Sequence, residues 1–422
     1  MNYSSGSIKE VYLDASNFTQ SRCVFKLSGE MNYLSNMKLT NIGAIAPNGA
    51  TNYSRSAGVL GLIRNISLQD GATVLSQSRE ANLDAALKNL LGENDHHISV
   101  KTGLNFGRRG FVFGQFADPA GAANTKRTGY SSVGYGANEI DTTEANSAKG
   151  TLVLSDMLPI LKVLPMLDTA VFKDGLQLVI EWETDLRKIA TSITNPITIV
   201  QPILCAYEVS DEMLYAQLSI KAGNVSWIER EVDQRPYAAQ ASLTQRFNGF
   251  DNKHLLRMCV VKQLQNLNLY KVGDNIQGMG ALSSLALLRE EYNVVNQGRR
   301  LFPRDISNFD INRQTINAFG DSSVVNGGIQ ASGADATSSP NYPANLNSRP
   351  GDFINAFLSP SEAGYNGMLM GNVPVRNLEL SLSRDISNID GKQNAALNVF
   401  LFGDVPKVMS VAKDGSYLIS YV

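Results

Sequence analysis

Apolar and polar residues alternate with a period of two at several places along the chain. In the clearest stretch Leu176, Leu178, Ile180 and Trp182 share one parity while Gln177, Glu181 and Glu183 take the other. That is the pattern of a strand with one buried face, and it sends both glutamates to solvent. A second strand is predicted where Leu60, Leu62, Ile66 and Leu68 alternate with other residues, ending at the hairpin signal Asp70-Gly71 before the β-prone Thr73-Val74-Leu75. A third covers residues 197–209. Pro202 within it cannot donate to a ladder, so an edge position or a bulge is predicted there. Alternation returns at residues 255–261, at Leu378, Leu380 and Leu382, at Leu397, Val399 and Leu401, and at residues 417–422.

Helical periodicity is confined to residues 79–91, the turn after Ser155 and Asp156, residues 211–221 and residues 283–291, each with Ser or Asp nearby as an N-cap. Many strands, few short helices and 35 glycines with 14 prolines describe an all-β sandwich or barrel, not alternating β/α units. Polar loops rich in Gly, Ser, Ala and Asn interrupt the pattern at residues 114–149 and 320–349. In the latter, Gly327-Gly328, Ser332-Gly333, Pro340 and Pro343 exclude a long helix or a central strand. A chain of 422 residues suits two domains of about two hundred residues each. The predicted boundary follows the helical stretch 211–221, giving domains 1–221 and 222–422. The segment Arg304-Asp305-Ile306-Ser307-Asn308 recurs as Arg384-Asp385-Ile386-Ser387-Asn388. Both copies lie in the second half, so the recurrence reads as shared turn chemistry and does not mark a duplication.

Composition narrows the function classes. Charged residues make up 18% of the chain and apolar residues 43%, a low charge share that suits buried or self-associating surface. A formal net charge of −2 supplies no basic field for naked nucleic acid. Arg108-Arg109, Lys126-Arg127 and Arg299-Arg300 are isolated pairs without interleaved aromatics and read as solvated charges. Cys23, Cys205 and Cys259 form neither a disulfide framework nor a metal motif, so free buried thiols are expected. Residues 1–7 lack the pattern of a signal peptide and no apolar run reaches bilayer length, which predicts a reducing, aqueous compartment. The sequons at Asn17, Asn52, Asn65 and Asn224 are then chance matches.

Catalytic chemistry needs convergent titratable groups, and the histidines are only His96, His97 and His254. Asp95-His96-His97 with Glu93 suggests a metal cluster. However, adjacent histidines on an extended segment point to opposite sides, so a polar loop is the expected reading. No GxSxG, P-loop or HExxH motif is present, and Gly278-Met279-Gly280 lacks the third glycine of a dinucleotide fingerprint. Glu181 and Glu183 share a strand face as paired glycosidase carboxylates would, yet alternation with Trp182 accounts for them. No catalytic, cofactor-binding or metal-ligating residue is assigned, and the chain is not expected to be an enzyme.

The run Leu60-Gly61-Leu62-Ile63-Arg64-Asn65-Ile66-Ser67-Leu68-Gln69-Asp70-Gly71, then a helical stretch through Leu83, Leu87 and Leu91, resembles the double jelly-roll major capsid proteins of icosahedral double-stranded DNA viruses. Residues 152–161, Leu164-Pro165 and the strand opening after Asp174-Gly175 resemble that family's strand, short helix and strand. Residues 197–209 and 211–221 resemble the last strand of its first jelly roll and the connecting helix. The second half follows more loosely through residues 225–235, Phe247-Asn248-Gly249-Phe250, residues 255–263 and the last pair of strands.

The length is similar to polinton-like virus, adintovirus, virophage and small phage members. The resemblance implies two tandem eight-stranded jelly rolls, with a few short helices and long loops, in a homotrimer of pseudo-hexagonal outline. Implied partners are neighbouring capsomers, penton proteins and minor capsid proteins, with an internal membrane left open. Neither a cofactor nor sequence-specific nucleic-acid binding is implied. The chain would be made in the host cytoplasm and reside in the virion, and its loop 320–349 would lie outside or at the trimer top, either as a free tower or as an intersubunit clasp. Two other readings stand beside this one. A carbohydrate-binding or sugar-processing β-sandwich would use Trp182 and Trp227, the two tryptophans, as stacking platforms. A minor capsid or vertex protein would use one jelly roll.

Overall fold

The alternating stretch around Leu178 forms the strand Leu176–Trp182, paired antiparallel with Arg22–Lys26 on one side and Ile63–Asp70 on the other. The computed structural model describes residues 8–27, 29, 31–53, 58–90, 115–117, 126–128, 139–190, 196–265, 290–300, 305–307, 354–357, 374–384 and 396–422. They divide into two compact units. The first comprises Met1–Ala85, Asn94–Glu229 and Pro406–Val422, and the second Ala86–Glu93 and Arg230–Val405.

In the first unit one sheet runs Asn17–Phe18, Arg22–Lys26, Leu176–Trp182, Ile63–Asp70 and Thr73–Arg79. Gly71, with φ +56°, turns the last pair, a left-handed conformation that favours glycine. The other sheet runs Lys149–Val153, Lys38–Ile45, Ile203–Val209, Asn32–Leu34 and Met166–Leu167. Ile8–Leu13 joins it on Ile203–Val209, and Thr198–Ile199 joins it on Lys38–Ile45. Phe25, Ile66, Leu178 and Ile180 from the first sheet and Leu39, Ile42, Leu152 and Leu204 from the second lie in one core cluster. The two sheets are thus the faces of a sandwich. Each such side chain contributes roughly 1.5–3 kcal/mol on burial.

The second unit repeats the plan. One sheet runs Gly223–Tyr237, Leu397–Val411, Arg257–Leu264 and Ile354–Phe357. The other runs Ser242–Arg246, Glu379–Arg384, Glu290–Asn296 and Arg299–Arg300, with Ile306–Ser307 beside Glu290–Asn296. Tyr237, Met258, Val260 and Leu401 meet Val294, Leu380 and Leu382 in its core. The buried Tyr237 hydroxyl is satisfied by donating to the Leu380 carbonyl at 2.7 Å.

Several sequence expectations are corrected. Leu60 and Leu62 do not open a strand. All of Gly58–Leu62 is buried in a 3-10 turn, and the strand starts at Ile63. Residues 197–209 are two strands, broken at Gln201-Pro202. Ile203–Val209 is interior, with Ile8–Leu13 on one side and Lys38–Ile45 and Asn32–Leu34 on the other. The proline falls just outside it, where its missing N–H disturbs no ladder. Glu290 and Glu291 belong to the strand Glu290–Asn296, not to a helix.

A cut between residues 221 and 222 also differs from the observed division, which falls inside two 15-residue strands, Gly223–Tyr237 and Leu397–Val411. Residues 222–229 and 406–422 belong to the first unit because Trp227, Met409 and Val411 bury in its core. The helix expected in residues 211–221 is Glu212–Leu218, with the Asp211 side chain accepting from the Leu214 N–H at 2.9 Å as the predicted cap. The helix expected near residue 79 is Ala81–Leu90. The loop 320–349 and most of the five-residue repeat lie outside the described residues.

Candidate functional site

The residues singled out in the sequence do not converge. His96, His97, Asp95 and Glu93 lie outside the described residues, as do Arg108-Arg109 and Gly278-Met279-Gly280. His254 is in the second unit, partly buried. Arg299 and Arg300 are exposed, and Arg300 is paired with Asp305. Lys126-Arg127 lies in a short strand against Gln115–Ala117. Cys23, Cys205 and Cys259 are buried and form no disulfide. Burial pushes the Cys23 thiol up to about 12, away from the reactive thiolate. Among the described residues no group of three or more His, Cys, Asp or Glu side chains could hold a metal ion. No helix among them is long and apolar enough to cross a membrane.

Glu181 and Glu183 separate. Glu181 is exposed and accepts from Asn65 Nδ2 at 2.5 Å. Glu183, expected at the solvent face, is buried instead. The register shifts between Glu181 and Trp182, and the strand ends at Trp182, so the parity is not carried to Glu183. Its carboxylate lies 3.3 Å from Lys188 Nζ and accepts from Asn82 Nδ2 at 2.8 Å. Lys188 also reaches Glu80 at 2.5 Å. A glycosidase pair needs two carboxylates facing a common substrate, whereas here one is exposed and the other is buried against Lys188 and Asn82.

Two further buried carboxylates were not legible in the sequence. In the first unit Glu229 is fully buried and accepts from Ser76 Oγ at 3.0 Å, Trp227 Nε1 at 3.1 Å and Lys407 Nζ at 2.9 Å. In the second, Asp404 lies 2.8 Å from Arg230 Nε and 2.7 Å from an Arg257 terminal nitrogen. Burial pushes the Asp404 carboxyl up, but the guanidiniums of Arg230 and Arg257 outweigh it and hold it below its ordinary value. Each carboxylate is met by cationic or hydrogen-bonding partners from distant parts of the chain. Such an arrangement pins strands together, and breaking it is costly. Nothing in this geometry presents a reactive group to a bound molecule.

Among the described residues of the first unit the most exposed large apolar side chains are Met213 at 77%, Leu418 at 68% and Tyr12 at 67%. They stand on three different elements, and scattered apolar side chains of this kind are ordinary for a protein surface. Both tryptophans are buried in the first unit, so neither offers a face for stacking a sugar.

No family model matches the sequence, and no curated protein does. Solved structures do match. The chain is similar to the PBCV-1 VP54 structure fitted into a cryo-EM reconstruction of the virophage Sputnik, at 10% identity and TM-score 0.52, covering 100% of this chain and 99% of that one. It is similar to the mavirus major capsid protein at 10% identity and TM-score 0.51, covering 100% and 91%. A third match is the 3.5 Å cryo-EM structure of the Sputnik virophage, at 11% identity and TM-score 0.51, covering 100% and 89%. Two sandwiches in one chain, aligned end to end with these structures, give the protein the double jelly-roll fold of double-stranded DNA virus major capsid proteins.

Proposed function

We propose that this protein is a major capsid protein, that it acts without catalysis, and that it trimerises into pseudo-hexagonal capsomers of an icosahedral shell. The observation that carries this reading is the end-to-end likeness of the fold. It takes in both sandwiches, and nearly the whole length of each capsid structure is matched. A trimer of a two-sandwich chain places six similar bodies around one axis, an outline that tiles a shell with hexagonal neighbours. Many weak lateral contacts then add up through multivalency. On this reading the partners are two further copies, neighbouring capsomers, and the penton and minor capsid proteins of a virion.

The burial of Trp182 and Trp227 disfavours the carbohydrate-binding alternative. The presence of two sandwiches disfavours a vertex protein built on one. Light scattering coupled to size exclusion, followed by negative-stain imaging of the same fraction, tests the proposal. The expected result is a mass of three chains and particles of hexagonal outline. A monomer at micromolar concentration with no such particles overturns it.

A further inference from the structure

The first unit contains a segment that the chain reaches only after the whole of the second. Pro406–Val422 follows Arg230–Val405 in sequence, yet it packs with Met1–Ala85 and Asn94–Glu229. Lys407–Val411 and Tyr417–Tyr421 pair as an antiparallel hairpin. Alternate residues of that hairpin point inward. Met409 and Val411 are core residues of the first unit, with Tyr417 and Ile419 packed against them.

Polar contacts fix the hairpin at several points. The Tyr417 hydroxyl donates to the buried Asp70 Oδ2 at 2.9 Å, and its ring meets Phe172 edge-on at 5.3 Å. Lys407 donates to the fully buried Glu229, which also holds Ser76 in the strand Thr73–Arg79. At the hairpin turn Gly415 has φ +81°, and a Cβ there would come 2.8 Å from the Ala170 carbonyl oxygen. Without the hairpin, Asp70 loses a donor, Glu229 loses its lysine, and the core around Phe172 is opened.

We propose that Pro406–Val422 is a late-arriving clasp: the first unit reaches its native packing only after the second unit has been made and the hairpin has docked. The physical reason is that the first sandwich, without this segment, has two buried carboxylates each short of one partner, Asp70 of the Tyr417 hydroxyl and Glu229 of the Lys407 ammonium, and an uncovered apolar face. Chain order thereby becomes folding order. A chain interrupted within the second unit would leave the first unfinished, although most of it has already been synthesised. If the protein assembles into a shell as proposed above, the same device keeps incomplete chains out. The folding claim itself does not depend on assembly, and its test reads folding alone.

The test uses the full chain refolded from denaturant, with pulsed hydrogen exchange read by mass spectrometry. Amides of Ile63–Asp70 and Leu176–Trp182 are expected to gain protection no earlier than those of Lys407–Val411. Full protection of the first two strands while Lys407–Val411 still exchanges as open chain overturns the proposal. A second arm uses Gly415→Val at equilibrium. Exchange is expected to rise by about tenfold or more in the hairpin, in Ile63–Asp70 and in Thr73–Arg79, with Arg257–Leu264 unchanged. A loosened hairpin with Ile63–Asp70 unchanged also overturns it. Should the valine variant fail to fold, Tyr417→Phe removes only the hydroxyl donated to Asp70 and is read against the same two outcomes.

Discussion

Lys188 Nζ lies 3.3 Å from a Glu183 carboxylate oxygen inside the first unit, and both side chains are almost wholly removed from solvent. Glu80, at 2.5 Å from the same ammonium, completes a buried arrangement of one lysine between two carboxylates. Lys188→Met leaves both glutamates without that cation, and removal of one partner from a buried pair costs about 3–5 kcal/mol. Combining Lys188→Met with Glu183→Gln is expected to recover part of the loss. Denaturant titration of the two variants checks this, since the double variant then unfolds at a higher midpoint than the single one.

Asp404 makes the stability of the second unit sensitive to acid. Burial raises its carboxyl, but Arg230 and Arg257 bring it below the ordinary carboxylate value. A carboxyl with a lowered folded-state value contributes stability that is fully present above its unfolded value. That stability is lost as pH falls through the folded one. Its contribution is therefore flat at neutral pH and declines below about pH 4. Asp404→Asn is expected to be less stable at neutral pH and to lose this part of the acid dependence. Parallel denaturant titrations at neutral and acid pH provide the measurement.

The thiols are expected to be silent in the folded protein. All three cysteines are buried and none forms a disulfide, and burial also pushes the Cys205 thiol above its ordinary value. A chromogenic disulfide reagent at neutral pH should label none of them in the native protein and all three after denaturation. Fast labelling of one thiol without unfolding would contradict the burial described above.

Trp182 and Trp227 should emit as buried indoles. Both are in the first unit's core, and Trp227 donates to Glu229 at 3.1 Å. Their fluorescence is expected to be blue-shifted, weakly quenched by acrylamide and unchanged by oligosaccharides, then red-shifted on unfolding. A saturable change with a sugar would instead favour the carbohydrate-binding reading.

The sandwich class was legible because alternation is a local property. Leu176, Leu178, Ile180 and Trp182 are buried in the strand Leu176–Trp182, as their parity requires. Asp211 caps the helix Glu212–Leu218 because the carboxylate bonds an N–H only three residues away. The resemblance to capsid proteins rested on the order of such local elements, and order survives when identity has fallen to 10%.

Tertiary structure decided what depends on partners far apart in sequence. Glu183 alternates like a solvent residue, yet it is buried because the strand ends one residue before it, Lys188 neutralises it and Asn82, 101 positions away, donates a hydrogen bond to it. Asp404 and Glu229 gave no signal, since the side chains that hold them lie up to 178 positions away. The domain division was hidden for the same reason. A long strand reads identically along its length, while the core that buries its side chains changes between Val405 and Pro406. Periodicity fixes which face of a strand is apolar, and only the packed fold decides which core that face enters.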